Sequence, residues 1–116
     1  MNEPWSYREG IGAGIGSSLI GFDVEATDGK IGSVDEESNA VGDSYLVVDT
    51  GFWIFGKKVV MPANTITRID TQNQKVFLAR TKEEIKDAPE FDEDTYKDPG
   101  YRQQLGDYYG RFPYQP

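Results

Sequence analysis

Between Leu19 and Arg80 the chain is a series of short runs of β-branched and aromatic residues, each cut off by a turn signal, and no long helical pattern lies among them. Phe22, Val24 and Ala26 alternate with Asp23 and Glu25, the period of a strand with one buried face, and Asp28-Gly29 then supplies a tight turn. The returning arm is Lys30 to Asp35. Its apolar residues Ile31 and Val34 stand three apart, which calls for a bulge at Gly32 or Ser33. Glu36 to Asp43 reads as a polar loop, and Tyr45 to Val48 as a strand either covered on both faces or lying at the middle of a curled sheet. Val59 to Met61 forms another strand and stops at Pro62. Thr65 to Asp70 and Lys75 to Ala79 follow, joined by the turn Thr71 to Gln74. Six short strands in about sixty residues predict a mainly β fold, a small antiparallel β-barrel or roll.

The flanks read differently. In Met1 to Ser18, Gly10, Gly12, Gly14 and Gly16 alternate with single residues that are costly to order, so a flexible leader is expected there. Thr81-Lys-Glu-Glu84 matches a capping box and predicts a helix of about two turns, anchored by Ile85 and ended by Pro89. Asp98-Pro99 predicts the start of a second helix, with Tyr101, Leu105 and Tyr108 on one face. The expected organisation is a leader over 1–18, a barrel over 19–92 and a helical aromatic tail over 93–116.

Composition narrows the chemistry. The 116 residues suit one domain. With neither Cys nor His there is no thiolate nucleophile, no imidazole base and no usual zinc ligand. Twenty acidic against 12 basic side chains, net charge -8, repel phosphate backbones, so nucleic acid is not an expected partner. No apolar run is long enough to span a bilayer and no basic N-terminal region marks a signal peptide, so a cytoplasmic address is expected.

Motif-like stretches are weak. Gly51-x-x-x-x-Gly56-Lys57 opens like a phosphate-binding loop, but Lys58 stands where Ser or Thr must reach magnesium, and a strand follows instead of a helix. Gly12-Ala-Gly14-Ile-Gly16-Ser has Ser17 at the third glycine position of a dinucleotide fingerprint, with no strand before it. Asp92-Glu93-Asp94 lacks the spacing of a calcium loop. Asp23, Glu25 and Asp70 alternate with apolar residues and should face water, so no carboxylate pair is set up for acid-base work. No enzyme activity, cofactor, metal or small-molecule substrate is therefore expected.

Two aromatic features remain. Phe52, Trp53, Ile54 and Phe55 cannot all enter one small core if they alternate, so they either fold over a barrel end or anchor a partner. Tyr101, Leu105, Tyr108, Tyr109, Phe112 and Tyr114 must bury against the protein's own barrel, a neighbouring copy or another protein. Phe52, Trp53, Phe55, Tyr101, Leu105 and Tyr108 are the candidate interface residues.

Leu19-Ile-Gly-Phe-Asp-Val24, Asp28-Gly-Lys-Ile-Gly-Ser-Val34, Tyr45-Leu-Val-Val-Asp-Thr-Gly51, Gly56-Lys-Lys-Val-Val-Met-Pro62 and Thr81-Lys-Glu-Glu-Ile-Lys-Asp-Ala-Pro-Glu-Phe-Asp92, in that order and spacing, resemble the PRC-barrel family. That family is named for the photosynthetic reaction centre H subunit and is related to the C-terminal domain of a ribosome maturation factor. The resemblance covers about two-thirds of the chain. It implies a barrel of about six strands without a general catalytic set, acting as an assembly or adaptor module like the stand-alone bacterial members. The expected function is a protein-interaction module, stress-associated and self-associating. The alternative is an RNA- or ribosome-associated maturation factor, for which Lys57, Lys58, Arg68, Lys75 and Arg80 would have to form a basic patch.

Overall fold

Alternating burial and tight turns generate the sheet, as the computed structural model shows for residues 4–8, 10–11, 18–40, 42–51, 58–89, 91–92 and 94–111. The strands are β1 (Asp23–Ala26), β2 (Gly29–Ala40), β3 (Asp43–Asp49), β4 (Lys58–Pro62), β5 (Ile66–Asp70) and β6 (Lys75–Leu78). The helices are α1 (Lys82–Lys86) and α2 (Pro99–Gly110). The six strands lie in the order β4-β3-β2-β1-β6-β5.

This order forces curvature. Laid flat, the two edge strands of six would stand about 24 Å apart. Yet β4 and β5 are joined by a single 3-10 turn, Ala63–Thr65, which spans about 6 Å. The sheet must curl until its edges meet at that turn, a barrel-like form with no ladder between β4 and β5 among the described residues. Val24, Leu46, Met61, Ile66 and Val76, each fully buried, belong to its core.

The expectation of an antiparallel sheet needs one correction: β1 and β6 pair in parallel, Asp23 with Lys75 and Val24 with Val76. The chain travels through four strands between them, so the curl of the sheet sets their relative sense instead of a local turn. A second correction concerns Glu36 to Asp43. Instead of a loop, β2 continues to Ala40 and turns back through Gly42 (φ 72°). Its polar side chains are half-buried or exposed, while its main chain pairs with Asp43 to Val47 of β3. Ser38 donates to the Asp43 carbonyl at 2.8 Å and Ser44 to the Ala40 carbonyl at 3.0 Å, fixing the hairpin from both sides.

The bulge occurs one residue from the expected place. Val24 pairs with Gly32 and Glu25 with Lys30, leaving Ile31 as the extra residue, and Ile31 and Val34 both enter the core. Gly32 allows a close approach: a Cβ there would lie 2.0 Å from the Asp49 carbonyl oxygen. In β3, Tyr45 and Val47 point to one face and Leu46 and Val48 to the other, and all four are buried.

The capping box forms as expected, the Glu84 amide donating to Thr81 Oγ1 at 3.1 Å and the Thr81 amide to Glu84 Oε1 at 2.8 Å. In α2 the buried face is centred on Leu105, Gly106 and Tyr109, so Tyr101 and Tyr108 flank it and stay half-buried. The leader is not loose throughout. Pro4 to Arg8 lies on the sheet, because the Asn64 and Ser44 amides donate to the Pro4 and Trp5 carbonyls at 3.0 and 2.9 Å. These bonds dock the segment beside the start of β3 and the turn that follows β4.

Candidate interaction surfaces

The described part of the aromatic tail packs onto the chain's own sheet. Leu105 is 1% exposed and Tyr109 7%, and both join the main core. Tyr108 donates its hydroxyl to the Glu84 carbonyl at 2.6 Å, Tyr101 to the Pro89 carbonyl at 3.2 Å and Tyr109 to Met61 Sδ at 3.6 Å. Burial pushes the Tyr101 phenol up to about 12 and raises Tyr108 and Tyr109 as well, so all three stay neutral at ordinary pH. Thus Tyr101, Leu105 and Tyr108, named as interface candidates, serve intramolecular packing in the single chain.

A second aromatic layer covers Tyr45. Trp5 meets it edge-on at 6.1 Å between ring centroids and Tyr96 at 6.5 Å, with Phe91 against Tyr96 at 4.8 Å. Tyr96 donates to Glu36 Oε1 at 2.9 Å, tying the segment before α2 to the polar half of β2. Nothing in the periodicity of the sequence marked Trp5 as a partner of this layer. The one available signal was its bulk, an apolar indole beside Pro4 ahead of a glycine-rich stretch.

Phe52, Trp53, Ile54, Phe55 and Gly56-Lys57 lie outside the described residues, as does the glycine pattern Gly12 to Ser17. On either side of the first group, Asp49 pairs with Lys58. Residues 50–57 therefore connect two adjacent antiparallel strands. Beside the root of this connection, an open groove of about 690 Å3 is lined by Gly21, Asp23, Lys30, Gly32, Asp49 and Gly51 among others. The phosphate-loop resemblance ends here, since Lys58 opens a strand.

The described cations of the hypothetical basic patch each meet a carboxylate. Lys58 pairs with Asp35 at 2.9 Å, Arg68 with Asp70 at 3.4 Å and Lys75 with Glu25 at 3.2 Å. Arg80 is buried, 4.0 Å from Glu84. The strand carboxylates are engaged by the same pairs, and Asp23 meets Lys30 at 3.1 Å. Hydrogen bonds from the Asn73 side chain and amide, with Arg68 nearby, hold the half-buried Asp70 carboxyl below its usual range. In the acidic cluster, Asp92 Oδ1 accepts the Asp94 amide at 2.8 Å, a local turn contact. Among the described residues, no group of three or more ligating side chains converges on a metal position, and no helix is long and apolar enough to cross a membrane.

No family model matches the chain, and no curated protein matches it. Among solved structures it is similar to a putative 16S ribosomal RNA processing protein, RimM, from Pseudomonas aeruginosa, with a TM-score of 0.47 and 14% identity. The likeness covers 56% of this chain and 42% of that one, so the chain spans less than half the length of that neighbour.

Proposed function

We propose that this chain is a non-enzymatic interaction module of the PRC-barrel type that acts in the cytoplasm and binds a second copy of itself or another protein through the connection carrying Phe52, Trp53 and Phe55. One observation supports the reading above all. Asp49 pairs with Lys58, and the sequence between these paired strands carries four consecutive bulky apolar residues; connections on a rigid scaffold commonly carry recognition. The tail, the other aromatic candidate, is already used by the protein's own core. The RNA-associated alternative requires free cations, and the carboxylates facing Lys58, Arg68 and Lys75 count against it.

Light scattering on size-separated protein tests this, comparing the intact chain with Trp53→Ala over a concentration series. A dimer that becomes monomeric in the variant, with an unchanged unfolding midpoint, is the expected result. An intact monomer, or a dimer indifferent to Trp53→Ala, counts against self-association through this connection. A chain cut at Arg80 is the poorer probe, because it removes Ile85, Leu105 and Tyr109 from the core.

A further inference from the structure

Three segments distant in sequence meet at one guanidinium. Arg102 of α2 lies over the Trp5 ring at 3.9 Å and over the Tyr45 ring at 5.0 Å, and it also pairs with Asp43. One turn further along the same helix face, Pro4 and Trp5 press against Gly106. A Cβ there would lie 3.3 Å from Trp5 Nε1 and 3.4 Å from Pro4 Cγ. Glycine weakens a helix interior, so its presence at this point gives up helix stability for a close approach of the strap Pro4 to Arg8.

The strap is attached further by the two main-chain bonds to Ser44 and Asn64, by Arg8 Nε donating to the Asn64 carbonyl at 2.7 Å, and by Trp5 and Tyr7 packing against the core. Docking also leaves the Tyr7 hydroxyl, Glu37 Oε2 and Arg102 Nε buried without hydrogen-bond partners. Each is a desolvation cost that opening would relieve. Tyr7 belongs to the strap, Arg102 is stacked against it, and Glu37 lies close enough to act on the Tyr7 phenol.

We infer that the strap and α2 form a clasp that opens as one unit: the strap holds the helix through Arg102 and Gly106, and releasing either end loosens the other while the sheet stays folded. The coupling is reciprocal, so whatever draws the strap away loosens α2 and uncovers Tyr45, and whatever engages α2 weakens the strap. The inference is independent of the role proposed for Phe52 to Phe55.

Hydrogen exchange read by mass spectrometry on the full-length chain tests it with Trp5→Ala, Arg102→Ala and Arg102→Lys. In Trp5→Ala, exchange in peptides covering α2 should rise about ten-fold while β1, β2 and β6 keep the intact chain's protection. Arg102→Ala should expose the Ser44 and Asn64 amides to a similar degree. Arg102→Lys keeps the charge facing Asp43 but loses the planar stack, so it should fall between Arg102→Ala and the intact chain. Unchanged α2 protection in Trp5→Ala would overturn the coupling. Loss of protection throughout the sheet would overturn it too, since the strap would then be an inseparable part of one cooperative fold.

Discussion

The sheet and the clasp that covers β3 are held together by different means. In the sheet, apolar side chains alternate into a core of fully buried residues such as Val24, Leu46 and Val76, and the main-chain groups pair along five ladders. The clasp adds Leu105 and Tyr109 of α2 to the same core, but its strap is held by rings, one stacked guanidinium and hydrogen bonds to Ser44 and Asn64, and its docking buries polar atoms that have no partner. The first arrangement gives a single cooperative unit. The second sets ring packing against the desolvation of partnerless polar atoms, and from that opposition its separate opening is inferred.

The largest effect expected within the sheet is at Gly32. Gly32→Ala places a methyl group against the Asp49 carbonyl, and since backbone must move to admit it, a loss of about 3 kcal/mol is expected in urea unfolding. That loss should reach every probe on the sheet equally, β6 included, while the smaller opening energy of α2 stays closer to that of the intact chain. A smaller effect separates the clasp from the sheet. Burial, and secondarily Glu37, push the Tyr7 phenol up to about 12. Its folded value thus exceeds the ordinary 10, so its contribution to docking is fully present below pH 10 and is lost as pH rises toward 12. In a Trp53→Phe background, Trp5 emission should shift to the red over that range. Tyr7→Phe, which removes the titrating hydroxyl, should move the midpoint upward.

Local patterning made most of the sheet legible. The six strands fall where short β-branched runs lie between turn signals, and the Thr81 capping box and the Asp98-Pro99 helix start are local chemistry that forms as written. Signals of longer range were hidden. The parallel pairing of β1 with β6 depends on how the sheet curls, which no turn encodes. Glu36 to Ala40 has no apolar alternation, because its side chains lie largely outside the core while its backbone completes a ladder. The strap was masked by the glycines that follow it, and its contacts reach from Pro4 and Trp5 to Asn64 and Gly106. For the candidate interface, the sequence pattern placed Tyr101, Leu105 and Tyr108 on one helical face but could not say whose barrel they cover. The structure puts them on the chain's own, with Tyr109 deeper than either flanking tyrosine.

Native-state hydrogen exchange on the intact chain, followed across low urea concentrations, tests the contrast between sheet and clasp most directly. Amides of β1, β2 and β6 should exchange only through global unfolding, with the full urea dependence, while those of α2 and the amides of Ser44 and Asn64 should share one smaller opening energy with a weaker dependence. A single opening energy common to all of these amides would contradict it, and the strap, the helix and the sheet would then be one cooperative unit.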